Sequence, residues 1–116
     1  MIVVRNVFKL KFGKAREAME LWKEGLNLMN ESGSHNERLL TDLTGPFYTL
    51  VMESTYNNLT EYENLMSTEV RTDQWRKWYQ RFTDIVDSGY REIFSVVNVP
   101  EPTKLEREKA HAGARI

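Results

Sequence analysis

Asn6 is the first residue whose type and place suggest chemistry. It is the single amide in an otherwise apolar even-numbered set, Ile2, Val4, Phe8, Leu10 and Phe12. A buried amide either bonds nearby backbone or stands in a cleft as a polar handle. Trp22, Trp75, Trp78, Tyr79 and Phe82 recur at helical spacing. They read either as core and covering residues or as the aromatic wall of a pocket for a small apolar or aromatic molecule, with indole and phenol tips to orient it. Glu53 and His35 are the candidates for acid or base work. For Glu53 the competing role is an ion pair with Arg5 or Arg91; for His35 it is a place in a polar edge strand. His35 and His111 are the only histidines and lie in no ligand-spaced cluster, so no metal is expected. The chain has no cysteine, which excludes a disulfide framework, a thiolate zinc site and a cysteine nucleophile. It also lacks a glycine-rich phosphate loop and a nucleophile elbow, and no cofactor is implied.

The elements that must position these residues follow from periodicity. Residues 2–12 alternate, with Val3, Arg5, Val7, Lys9 and Lys11 on the odd face, which predicts a strand. After Gly13 the spacing changes: Ala15, Ala18, Met19, Trp22, Leu26 and Met29 form one helical stripe, with Gly33 as terminator. Two extended runs, 35–44 and 47–56, flank Gly45-Pro46 and predict a tight hairpin, its polar first strand at the sheet edge. Asn58 and Glu61 have the spacing of a capping box. They open a helical region that falters between Ser67 and Asp73. It resumes through Trp75, Trp78, Tyr79, Phe82, Ile85 and Val86, with Thr72 or Asp73 as cap and Gly89 as stop. Residues 90–99 are expected as a last strand, apolar on both faces. Pro100 and Pro102 then divide a domain, 1–99, from a charged tail, 100–116. The order β-α-β-β-α-β predicts an α+β, ferredoxin-like domain: a four-stranded antiparallel sheet with its helices on one face.

That architecture leaves one sheet face bare, and a face left in water should be polar. Here it carries Val3, Val7, Phe47 and Val51 beside Thr49 and Glu53. A second copy is therefore expected to cover it, in a homodimer burying on the order of 1,500 Å² or more. A net charge of −1, with basic residues interspersed among acidic ones, offers no surface for nucleic acid. No run approaches the roughly 18 apolar residues of a membrane span. The first residues have no leader pattern, so a cytoplasmic protein without membrane contact is expected.

Three groups of residues resemble one family. Val4-Arg5 with Phe8, Leu10, Lys11, Gly13 and Lys14 is similar to the opening strand and helix entry of NIPSNAP-like proteins. Leu43-Thr44-Gly45-Pro46-Phe47, leading to Val51 and Glu53, resembles their central hairpin. Trp78-Tyr79, Phe82, Gly89, Arg91-Glu92-Ile93-Phe94 and Val96-Val97 resemble their closing helix and strand. The likeness spans residues 2–98, departing at Phe12, where the family often has proline. It implies the dimeric α/β-barrel superfamily, in which two ferredoxin-like subunits face their sheets together. That superfamily holds cofactor-independent monooxygenases, lactone isomerases, polyketide cyclases, haem-degrading enzymes and members without known activity, so the fold does not decide the reaction. The haem-degrading members use a first-strand asparagine, a tryptophan and an axial histidine. Asn6 and Trp75 or Trp78 match the first two, but residues 70–94 contain no histidine, so haem degradation by that route is not expected, Tyr79 being the one other ligand left open. Three roles follow: ligand binding, a cofactor-independent monooxygenase or isomerase on an aromatic or lactone substrate, and a protein-interaction module using the tail.

Overall fold

Alternating β-branched and apolar residues form the central strand, β1 (Ile2–Leu10), whose even-numbered side chains turn toward the helices. The computed structural model describes residues 1–30, 35–69 and 72–100. Helix α1 (Ala15–Asn30) follows a turn at Gly13, whose φ of +83° suits a residue without a side chain. The expected terminator Gly33 lies outside the described residues. Strand β2 (Arg38–Thr41) and strand β3 (Thr49–Tyr56) come next, then α2 (Leu59–Glu69), α3 (Asp73–Thr83) and β4 (Val86–Ser95). The sheet order is β2-β3-β1-β4 with every neighbouring pair antiparallel, and the helices lie on one face. This is the ferredoxin-like βαββαβ arrangement.

The helix starts behave as their sequences imply. Asn58 Oδ1 accepts from the Glu61 amide at 2.9 Å, and the Glu61 carboxylate reaches back to the Asn57 amide at 2.9 Å, one residue earlier than in the usual box. Thr72 caps α3 by accepting from the Trp75 amide.

Several boundaries differ from expectation. Strand β2 has only four residues, because Asn36 takes a positive φ of 54° before it and a loop begins at Asp42 after it. The Gly-Pro connection is a loop over 42–48 and no tight hairpin, with Gly45 at φ 116° and Tyr48 at φ 61°. The Asp42 carboxylate closes it by accepting from the Thr49 amide at 3.0 Å. Left-handed backbone at Tyr48 cannot continue a strand, so Phe47 leaves the sheet and stands 75% exposed. Phe12 likewise lies beyond β1, exposed, with its ring edge-on to Tyr48.

Helix α3 stops at Thr83 and not at Gly89. The Asp84 and Ile85 amides close on the Gln80 and Phe82 carbonyls, and Ile85 is buried as the chain turns into β4. Gly89 therefore sits within β4, opposite Phe8, where a Cβ would lie 3.0 Å from Phe8 Cδ1 and 3.1 Å from the Val7 carbonyl oxygen. Strand β4 is not apolar on both faces. Register puts Gly89, Arg91 and Ile93 on the helix side and Tyr90, Glu92 and Phe94 on the other.

The main core joins Leu10, Leu21, Trp22, Leu50, Met52, Trp78 and Phe82, and burying a side chain such as Phe82 contributes on the order of 1.5–3 kcal/mol. Trp78 is its keystone. Its indole N–H donates to the Leu21 carbonyl, and its ring lies where a Gly25 Cβ would be 2.5 Å away, so glycine lets α1 and α3 meet. A second cluster holds Val4, Tyr56, Tyr62 and Leu65 beneath α2.

Candidate functional site

Between the β1–β4 half of the sheet and the helices lies a half-open cavity of about 720 Å³. Its floor comes from the helix-facing register of the strands: Asn6 and Phe8 on β1, Met52 on β3, Gly89 and Arg91 on β4. Trp22 and Met29 of α1, Met66 of α2, and Trp75, Tyr79 and Phe82 of α3 form the walls. The rings brace one another. Phe8 meets Phe82 edge-on at 4.9 Å, and Trp22 meets Phe82 edge-on at 5.3 Å, both geometries favoured by the ring quadrupole. Flat hydrocarbon surface of this kind suits an aromatic or apolar guest.

One polar pair is set into that floor. Arg91 Nε donates to Asn6 Oδ1 at 2.7 Å, across the β1–β4 pairing that puts the two residues side by side. Asn6 is thus held by a side chain, not by backbone. The Arg91 guanidinium also lies 5.8 Å above the Tyr62 ring, a cation–π placement that braces it from a second direction. The indole N–H of Trp22 and the hydroxyl of Tyr62 are buried without a hydrogen-bond partner among the described residues. Each such group costs about 1–3 kcal/mol.

Of the residues singled out from sequence, Asn6, Trp22, Trp75, Tyr79 and Phe82 line the cavity. Trp78 does not: it is packed behind Trp22 and Phe82, at 4.6 and 5.5 Å between ring centroids. Glu53 is on the opposite face of the sheet, held by Arg38 at 2.7 Å and Arg5 at 3.3 Å; Arg91, the other expected partner, faces the helices instead. His35 is near the Tyr56 end of β3, stacked on the Tyr56 ring with Nδ1 3.4 Å from Glu61 Oε1. It is the one histidine among the described residues and does not line the cavity, which therefore offers no imidazole to a haem iron. His111 lies outside the described residues. Tyr56 accepts from the Ser54 hydroxyl at 3.3 Å. Burial foremost pushes its phenol above the ordinary value of 10.0, the Ser54 hydrogen bond opposing the shift.

Sequence reasoning passed over Arg91, Phe8, Met52 and Gly89 as site residues. The parity of β1 points to Phe8, two residues from Asn6 on the same face. Nothing local points to Arg91, because the facing of β4 depends on its register with β1.

No family model and no curated protein matches the chain. Among solved structures it is similar to an uncharacterized NIPSNAP domain protein from Burkholderia xenovorans, with a TM-score of 0.74 and 16% identity, over 87% of this chain and 100% of that one. A NIPSNAP family protein from Agrobacterium tumefaciens str. C58 aligns with a TM-score of 0.76 and 17% identity, over 84% and 93% of the two chains. SnoaB, a cofactor-independent oxygenase from Streptomyces nogalater, aligns at 0.67 and 10% identity, over 86% and 97%. Among the described residues no helix is long and apolar enough to cross a membrane. The chain has the ferredoxin-like fold of the NIPSNAP-family proteins, with an aromatic-walled cavity on its helix side.

Proposed function

We propose that this chain is a NIPSNAP-like, cytoplasmic homodimer that binds a small, flat, largely apolar molecule carrying one polar end. The observation that carries this reading is the Asn6–Arg91 pair, set beside the rings of Phe8, Trp22, Trp75, Tyr79 and Phe82 in a cavity whose lining also includes Arg76, Thr83, Asp87 and Ser88. Rings stack against Trp75, Tyr79 and Phe82, while an oxygen of the ligand accepts from the remaining guanidinium N–H groups of Arg91. Absence of cysteine supports the cytoplasmic part, and the bare sheet face supports the dimer.

Calorimetry with a panel of aromatic carboxylic acids and their neutral amides tests the site. The acids should bind more tightly, and Arg91→Met should erase the difference. Equal affinity of acids and amides for the unaltered protein would overturn the polar-end assignment.

The likeness to SnoaB supports a second reading, a cofactor-independent oxygenase. A methylene flanked by aromatic rings loses a proton, and its carbanion adds dioxygen. The resulting peroxide collapses to a carbonyl and water, so the substrate supplies the electrons that reduce the oxygen. Oxygen consumption with an anthrone substrate tests it. Turnover lost in Asn6→Ala with the fold retained by circular dichroism supports the reading; no uptake by the unaltered protein removes it.

A further inference from the structure

On the bare face of the sheet each strand contributes one charged residue to a single row. Cα register aligns Arg38 of β2 with Glu53 of β3, Glu53 with Arg5 of β1, and Arg5 with Glu92 of β4. The signs alternate, plus, minus, plus, minus. Glu53 is satisfied within the chain: Oε1 accepts from Arg38 Nη2 at 2.7 Å and Nε at 3.0 Å, while Oε2 lies 3.3 Å from Arg5 Nε. Glu92, half-buried at the end of the row, has no ion pair or hydrogen bond among the described residues, while the buried Arg5 Nε has its ion pair with Glu53 but no hydrogen bond among them. Apolar residues flank the row on both sides, Leu40, Val51, Val7 and Tyr90 on one and Val3 and Phe94 on the other.

We infer that this charge row sets the geometry of the homodimer: its twofold axis runs along the strands, between β1 and β3, and lays β2 of one copy over β4 of the other. The inference rests on the homodimer proposed above and specifies how the copies meet. Two identical sheets placed face to face with aligned strands can be related by an axis along the strands or by one across them. An axis along the strands reverses the row, so that Arg38 faces the partner's Glu92 and Glu53 faces the partner's Arg5. All four positions then meet an opposite charge, and Glu92 gains the cation it lacks. An axis across the strands leaves the row in order and puts every charge over itself, arginine on arginine and glutamate on glutamate. Water is excluded from such an interface, so like charges repel far more strongly there than at the surface. Aligned sheet packing permits both arrangements; the antisymmetry of the row admits one. The same axis sets Val51 over the partner's Val7, keeping the neighbouring row apolar throughout.

Analytical ultracentrifugation of Glu92→Lys and Arg38→Glu tests this. Each variant alone puts like charges at both ends of its own row, so its homodimer should weaken by about 100-fold or more. Mixing the two should restore a heterodimer, because each supplies what the other lacks. Homodimers as tight as the unaltered protein would overturn the axis while leaving the dimer standing. A monomeric unaltered chain at micromolar concentration would remove the dimer itself. Folding of the reversals is checked by circular dichroism, and a second measurement needs no charge change. With no native cysteine to interfere, a short bismaleimide should link copies carrying both Leu40→Cys and Tyr90→Cys. Copies carrying both Tyr90→Cys and Phe94→Cys should stay unlinked to one another, because only an axis across the strands at the charge row sets Tyr90 over the partner's Phe94; linking of that variant into dimers overturns the inference.

Discussion

Arg5 and Asn6 are neighbours in the chain and look in opposite directions across the sheet. On the helix side, Asn6 joins Arg91 as a hydrogen-bonded pair beside rings, on a cavity lining that also carries Arg76 and Asp87, and the surrounding core is closed by packing within the chain. On the bare side, Arg5 joins a row of four charges between apolar rows, and the row ends on a carboxylate with nothing to hold among the described residues. Both faces mix apolar and polar residues, so composition does not distinguish them. Arrangement does: a hydrogen-bonded pair beside a ring-lined cavity suits a small guest, whereas an alternating row suits another extended surface.

The largest effect expected on this contrast is from Trp78→Ala, which empties the keystone behind the cavity wall. Removing a fully buried indole should cost about 3–5 kcal/mol in urea unfolding. The Trp22 and Phe82 rings should also loosen, seen as lost near-ultraviolet dichroism. Gly25→Ala comes next. Alanine favours a helix interior over glycine by roughly 1 kcal/mol, but its Cβ would lie 2.5 Å from Trp78 Cζ2. A net loss of about 1–3 kcal/mol is expected from overpacking, and a gain in stability would show that the helices can separate freely.

Asn6→Ala and Arg5→Ala set the faces directly against each other. The first removes a charge-assisted hydrogen bond from an exposed Arg91, so it should cost at most about 1 kcal/mol, and it should weaken binding of aromatic acids. The second removes a partly exposed ion pair, so under conditions that hold the chain monomeric it should cost only a few tenths of a kcal/mol and leave ligand binding alone. Equal losses from the two would erase the contrast between the faces.

The smallest effect concerns Tyr56. Its phenol is raised above 10.0 in the folded chain, so near and above that pH the unfolded chain ionises first and holds fewer protons. Stability present below pH 10 should therefore fall as pH rises through the folded value. Tyr56→Phe should flatten that alkaline decline, measured by melting temperature between pH 9 and about 11.

How far the molecule could be read from its residues varies by element. The alternation of Ile2 to Leu10, the stripe from Ala15 to Met29, the break before Asp73 and the Thr72 cap are all local patterns, and each appears in the fold where its spacing puts it. Helices and strands of this kind declare themselves because the periods of 3.6 and 2 are properties of consecutive residues. The aromatic residues of the cavity were legible for the same reason, as one face of α3 together with Trp22.

What tertiary structure alone decided are the pairings between distant segments. Gly89 reads as a helix stop in sequence, yet it lies in mid-strand because Phe8 crosses it. Tyr48 reads as a strand residue, yet its left-handed backbone ends the ladder and sends Phe47 into the loop. Trp78 and Trp75 are three residues apart, and only packing against Gly25 puts one behind the wall and the other on it. Asn6 was visible from sequence as an anomaly; its meaning came from Arg91, 85 residues away. A one-residue shift in the β1–β4 register would have sent that guanidinium to the other face and left Asn6 without its partner. Register is set by the sum of contacts across a whole sheet, and no window of neighbouring residues contains it.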